Sequence, residues 1–409
     1  MRAPGFTSHR PLLVSIVTET FPPEVNGVSR TIGTMVEALR ARGHRIELIR
    51  PRQGRKDAPA SESHFEEVLK RGVPIPSYRE LRLGLPAKRA LLARWSARRP
   101  DIVHVVTEGP LGWSAVGAAR KLGVPVASDF HTNFHTYSRH YGFGPFAGVV
   151  AGYLRSLHNR ADCTMVPTNE LKAELEAAGF ERLEVVGRGI DRRVFAPDRR
   201  DEHLRASWGC RGDEPVAMYV GRLAPEKGLP LFVEAALAAR VANPSLRIVL
   251  VGDGPDASSL RKRHADFVFA GMRFGEDLAA HYASGDLFVF PSTTETFGNV
   301  TTEALASGLA VVAFDYAAAR QYIRHGRSGL LARPGDRDAF ISHAQTLASD
   351  AMLRERLRAE AALVGTSLSW PHVIDDLEAV FRRLVARGKG DDRPASTAFL
   401  QTENDHAPS

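Results

Sequence analysis

Two glutamates, Glu295 and Glu303, flank the stretch Thr296-Phe297-Gly298-Asn299-Val300-Thr301-Thr302, and the apolar run Leu287–Phe290 lies just upstream. The pattern predicts a strand, then a loop holding Glu295, then a helix that starts near Gly298 and carries Glu303. Amides at Gly298, Asn299 and Val300 would be unpaired at the helix start and point at an anion. Glu303, in the first turns, can accept from both hydroxyls of a vicinal diol such as a ribose, and Glu295 from sugar hydroxyls. Capping or plain surface exposure explains either carboxylate alone. It does not readily explain both, around one glycine, at a strand end.

A second strand, Val216–Val220, leads into Gly221-Arg222-Leu223-Ala224-Pro225-Glu226-Lys227-Gly228. Arg222 offers a planar fork and Lys227 a point charge, and the two can converge on one diphosphate. Gly252 and Gly254, at the end of a further strand, allow close backbone approach to a ligand, although such turns are common. The first strand is followed by Glu19-Thr20-Phe21-Pro22-Pro23-Glu24-Val25-Asn26-Gly27-Val28-Ser29-Arg30. There Asn26 and Gly27 precede a helix whose positive end suits a phosphate. No G-x-G-x-x-G accompanies it, which disfavours a dinucleotide oxidoreductase. His131, in the segment Asp129–Tyr141, reads as a strand-end histidine facing a cleft. His131 and His135 have the spacing of a helical metal pair, but no cysteine or carboxylate stands at a matching distance, so no metal site is expected. His135 and His140 read as structural.

These groups need a scaffold that ends strands at one crevice. Strand-like runs at Leu12–Val17, Ile46–Ile49, Ile102–Val106, Val124–Ser128, Cys163–Val166 and Leu183–Val186 alternate with helical periods such as Thr31–Arg42 and Leu111–Leu122. A second series comprises Val216–Val220, Ile248–Val251, Val268–Phe269, Leu287–Phe290 and Val311–Phe314. Each series can form its own parallel sheet, which predicts an α/β chain of two Rossmann-like domains. The expected divisions are 1–190, 191–369, a final helix over 370–387, and a disordered tail over 388–409.

The chain of 409 residues is large enough for two cores. Its two cysteines, Cys163 and Cys210, make no disulfide framework, and the run Leu12–Val17 is too short for a signal-peptide core. A cytoplasmic setting is expected. Residues 1–190 hold 27 Lys and Arg against 18 Asp and Glu, whereas the remainder holds 27 against 29. A basic first half points to an anionic partner such as a phospholipid. Nucleic acid is not expected, since no basic tract is interleaved with stacking aromatics. Within that half, Arg79–Arg99 carries seven cations, and Leu91, Leu92 and Trp95 would share a helical face. Such a helix would lie on an anionic bilayer, on the inner face of the plasma membrane.

Taken together, these motifs resemble the retaining GT-B glycosyltransferases of family 4 over residues 12–385, with Glu295-x₇-Glu303 as the most specific element. The Asn26-Gly27-Val28 loop, the His131–His135 segment and Gly187-Arg188-Gly189-Ile190-Asp191 look most like GDP-mannose-dependent α-mannosyltransferases. The resemblance implies an acceptor-binding first domain and a nucleotide-sugar-binding second domain, with the final helix crossing back to the first. It implies that Gly27, Arg222 and Lys227 hold the diphosphate, Glu303 the ribose and Glu295 the sugar, with His131 beside it. The chain departs from the family pattern at Asp315-Tyr316-Ala317-Ala318-Ala319-Arg320, where many members carry Gly-Gly or Gly-x-Pro-Glu.

The expected reaction is therefore hexosyl transfer from a nucleotide diphosphate donor, first of all GDP-mannose, to a lipid or glycan acceptor, without a metal or other cofactor. Alternatives are a UDP-sugar-dependent glucosyl, glucuronosyl or sulfoquinovosyl diacylglycerol synthase, a GT-B nucleotide-sugar epimerase, and a non-catalytic nucleotide-sugar-binding protein. An epimerase would need no acceptor, and a binding protein would turn nothing over.

Overall fold

The computed structural model describes residues 10–24, 26–54, 56–75, 78–131 and 147–390. Its first sheet has eight strands, in the order β10-β9-β8-β7-β1-β2-β4-β3. These are β1 (Leu13–Val17), β2 (Arg45–Pro51), β3 (Ser61–Glu62), β4 (Phe65–Lys70), β7 (Ile102–Val105), β8 (Val126–Asp129), β9 (Cys163–Val166) and β10 (Leu183–Val185), all parallel except the β3–β4 pair. A two-stranded hairpin, β5 (Gly72–Ile75) with β6 (Tyr78–Gly84), stands beside it. The second sheet is wholly parallel, in the order β13-β12-β11-β14-β15-β16. It comprises β11 (Val216–Val220), β12 (Arg247–Val251), β13 (Val268–Gly271), β14 (Leu287–Phe290), β15 (Ala310–Phe314) and β16 (Leu330–Ala332).

The central strands are apolar because helices cover both of their faces. On one face of the first sheet, Ile32, Met35 and Leu39 of the helix Gly27–Ala41 pack with Ile374, Leu377 and Phe381 of the final helix. On the other, Leu91 and Trp95 pack with Leu111 and Ala115 of the helix Pro110–Lys121. Between the sheets the chain crosses twice, side by side. Ile190 N donates to Leu368 O at 2.7 Å, and a Cβ on Gly189 would stand 2.6 Å from Trp370 Cα. The returning helix, Trp370–Gly390, then buries its apolar stripe on the first sheet and is part of the first core. It runs to Gly390, beyond the expected stop at 387, and residues 391–409 of the expected tail lie outside the described residues.

Arg79–Arg99 is not one helix. Pro86 cannot continue a helix from upstream, and Tyr78–Gly84 pairs antiparallel with Gly72–Ile75 as a hairpin strand, leaving Lys88–Ala97 as the helical part. Leu91 and Trp95 are 0% and 1% exposed, and the Trp95 indole donates to Glu47 Oε2 at 2.9 Å. The apolar face expected to enter a bilayer is thus spent on the core, and Arg94 is bound to Glu47 and Glu66. What remains outward is charge: Lys88, Arg89, Arg98 and Arg99. Among the described residues, no helix is long and apolar enough to cross a membrane.

Candidate functional site

In each sheet the strand order reverses at one place, next to β1 in the first and next to β11 in the second. Open α/β sheets bind ligands outside the carboxyl ends of such strands. The loops that leave β1, β8, β11 and β14 carry nearly all the residues singled out by sequence, and side chains from the two halves meet between them.

Gly228, at φ 70°, makes the first junction. A Cβ there would stand 2.9 Å from Pro291 O, so only glycine lets the β11 loop lie against the β14 loop. Thr294 Oγ1 donates to Glu226 O at 3.0 Å across the same seam. In consequence Lys227 Nζ reaches Glu295 Oε1 at 2.6 Å, and Ser292 Oγ also donates to that oxygen, at 2.8 Å. Arg222 lies on the same loop, 3.7 Å from Glu226. A Cβ at Gly252 would run into Gly221 O at 2.0 Å, and one at Gly254 into Leu223 O at 2.4 Å. These two glycines are required by the packing of one loop on another, whatever else they contact.

Two helix starts face each other across the crevice. Asn26 caps the first by accepting from Ser29 N at 2.8 Å, and its amide donates to Thr20 Oγ1 at 2.7 Å. That leaves the amides of Gly27 and Val28 with no intrahelical partner. The second helix, Asn299–Ala306, starts from Gly298 at φ 95° with no side-chain cap, so Asn299 and Val300 present their amides in the same way. A Cβ on Gly27 would come 3.4 Å from the side-chain Nδ2 of Asn299, so the two helix starts are neighbours. Helix starts of this kind present unpaired amides and a positive dipole end toward the crevice. One turn further in, Glu303 is 5% exposed. Its Oε2 accepts from Tyr282 at 2.9 Å, and its Oε1 is 3.2 Å from Arg30 of the first half. Burial raises the Glu303 pKa, and Arg30 and Tyr282 oppose it.

His131 closes the other side. Its ring Nε2 is 3.3 Å from Asp129 Oδ2, and its carbonyl accepts from Thr296 Oγ1 of the second half at 3.0 Å. His135 and His140 lie outside the described residues. At the rim, where the chain departs from the family pattern, Ala317 has φ 50° and donates its amide to Glu170 Oε2 of the first half at 3.0 Å. Arg320 pairs with the same Glu170 and with Asp315.

Below the β1 loop, Glu19 accepts from the amides of Gly109 and Leu111, both at 3.1 Å, at the start of the helix Pro110–Lys121. Burial pushes its pKa up to about 7. A carboxyl whose proton is held more tightly in the folded state favours folding below its ordinary range and loses that contribution as pH rises through 7. The Tm advantage of Glu19→Gln over the wild type should therefore grow between pH 5 and pH 8. A pH-independent difference would contradict this.

The geometry is that of a crevice at the carboxyl ends of two parallel sheets, and comparison with known proteins decides the family. Residues 25–194 match the family described as Glycosyltransferase Family 4, and residues 214–350 that described as Glycosyl transferases group 1. The GDP-mannose-dependent alpha-mannosyltransferase of Mycobacterium tuberculosis is 37% identical over 89% of this chain and 94% of its own length. The chain belongs to glycosyltransferase family 4. This family 4 protein is also 30% identical to the sulfoquinovosyl transferase of Arabidopsis thaliana, over 85% of this chain and 68% of that one. The sucrose-phosphate synthase of Thermosynechococcus elongatus shares the GT-B fold, with a TM-score of 0.75 at 19% identity, covering 92% of this chain and 100% of that one.

Within this glycosyltransferase, sequence reasoning missed the residues whose partners lie in the other half: Arg30 opposite Glu303, Thr296 opposite His131, and Glu170 opposite Ala317. Only Arg30 left a local signal. It stands three residues after Gly27, one helical turn along the same face.

Proposed function

We propose that this glycosyltransferase moves a hexose, first of all mannose from GDP-mannose, to a lipid or lipid-linked glycan acceptor with retention of configuration. The observation that carries the reading is the convergence of Lys227 with Glu295 beside the two facing helix starts at Gly27 and Asn299. A diphosphate between those helix ends would be met by the amides of Gly27, Asn299 and Val300 and by Arg222 and Lys227. Glu303 would take the ribose diol, Glu295 the sugar hydroxyls, and His131 the opposite edge of the sugar. As transfer proceeds, the bond from sugar C1 to the β-phosphate oxygen breaks and a bond from C1 to the acceptor oxygen forms. The acceptor's proton passes to the departing phosphate, whose growing charge the two cations and the helix ends stabilise.

In this reading residues 1–190 bind the acceptor, residues 191–369 bind the donor, and the final helix joins the first domain. The outward cations Lys88, Arg89, Arg98 and Arg99 would meet an anionic membrane surface by charge alone, since the apolar side of their helix is buried. A UDP-sulfoquinovose donor is the second reading, favoured by the identity to the Arabidopsis enzyme. A thermal-shift panel of GDP-mannose, UDP-glucose, UDP-glucuronate, UDP-sulfoquinovose and ADP-glucose separates them. GDP-mannose should raise Tm most, because at equal concentration the ligand with the lowest Kd stabilises the fold most. A larger shift with a UDP-sugar would overturn the choice of mannose.

A further inference from the structure

Beneath His131 lies a set of buried charges that the binding of a diphosphate does not call on. Asp129, the last residue of β8, has a fully buried side chain. Its Oδ2 stands 3.2 Å from His104 Nε2 and 3.3 Å from His131 Nε2. Arg188, in the segment that crosses between the sheets, is 4% exposed and acts on the same carboxylate. Among the described residues, its own hydrogen bonds go to the carbonyls of Val186 and Gly187. Burial works against ionisation of Asp129, yet His104, His131 and Arg188 hold its pKa well below the usual carboxylate range.

The partners of this carboxylate face different ways. His104 sits at the back, edge-on to Phe381 of the final helix with ring centroids 5.3 Å apart. Arg188 supplies countercharge from the crossing segment. His131 alone borders the crevice: its side chain is 10% exposed, and its backbone is held from both halves, by Glu108 at the amide and Thr296 at the carbonyl. Among the described residues its Nδ1 carries no hydrogen bond.

A neutral imidazole has one N–H and one acceptor nitrogen, and the partner of the first decides what the second offers. We propose that Asp129 is a positioning residue for glycosyl transfer: it takes the Nε2 proton of His131 and so leaves Nδ1 facing the crevice as an acceptor for a hydroxyl of the transferred hexose. This rests on the placement of His131 beside the sugar. Arg188 and His104 keep the carboxylate charged, so the preference for this tautomer does not depend on the ligand. In Asp129→Asn the amide can donate to Nε2 instead. The proton then moves to Nδ1, and the nitrogen facing the sugar changes from acceptor to donor.

The experiment compares Asp129→Asn, His131→Ala and the double variant in the full-length protein, with GDP-mannose as donor and GDP as the affinity probe. Asp129→Asn should lower kcat by about tenfold to a hundredfold, with GDP affinity within about twofold of wild type. The double variant should be no slower than His131→Ala, because a residue that acts through His131 has nothing left to act on. In ¹⁵N-histidine NMR spectra, His131 should be protonated at Nε2 in the wild type and at Nδ1 in Asp129→Asn. Losses that multiply in the double variant would overturn the proposal. So would a wild-type His131 protonated at Nδ1, a result that needs no variant to fold. Full activity in His131→Ala would strike instead at the placement of His131 itself, and the positioning role would fall with it.

Discussion

Lys227→Met is expected to lower kcat by about 10² to 10³ while raising the donor KM by much less. Methionine keeps an unbranched apolar side chain of similar length and removes the ammonium. In the structure that ammonium lies 2.6 Å from Glu295 Oε1, in the seam set by Gly228. In the proposed reading, a bound donor brings a diphosphate whose charge would already be met in part by Arg222 and two helix ends. Charge on the bridging oxygen grows only as its bond to C1 lengthens, so a cation aimed there does more for the transition state than for the bound donor. Removing it should therefore appear in kcat. Steady-state kinetics with the donor varied at saturating acceptor decides the matter: a Lys227→Met enzyme with kcat within about threefold of wild type would place the ammonium away from the leaving group.

The two glycine-seamed loops were legible because their chemistry is local. Arg222 and Lys227 are five residues apart on one loop, and Glu295 and Glu303 bracket one helix start, so spacing alone brings each pair to a crevice edge. The central strands were legible for another reason. Val216–Val220 and Leu287–Phe290 are buried on both faces, and a parallel strand so covered reads as an unbroken apolar run. The hairpin of β5 and β6 sends no such signal, since Pro74 interrupts one strand and Arg79, Glu80 and Arg82 interrupt the other. Its cations blend into those of the following helix, so sequence alone does not show that the apolar side of that helix belongs to the core. Trp95 shows why: a tryptophan among arginines has the same pattern whether its indole meets a headgroup layer or, as here, a buried Glu47. Pairings between halves were illegible altogether. Glu303 with Arg30 and His131 with Thr296 join residues more than a hundred positions apart, and no periodicity within either segment encodes its partner.

Glu303→Gln should do the converse of Lys227→Met, raising the donor KM by about 10- to 100-fold with little change in kcat. The carboxylate is anchored at Oε2 by the Tyr282 hydroxyl and faces Arg30 across the crevice with Oε1. A ribose diol arriving there would gain two acceptors already fixed in place, and would compete with Arg30 for one of them. Each hydrogen bond to a charged group contributes about 1.5–3 kcal/mol. Glutamine keeps one acceptor oxygen, so about one such bond is lost. The ribose lies far along the donor from the bond that breaks, and its contacts are the same before and during transfer. Binding energy of that uniform kind sets KM and leaves kcat alone. An enzyme in which Glu303→Gln lowered kcat and spared KM would refute the ribose assignment. The pair of variants also guards against a trivial cause, because a general folding defect would shift both constants in both proteins, whereas the proposed roles require each substitution to move a different one.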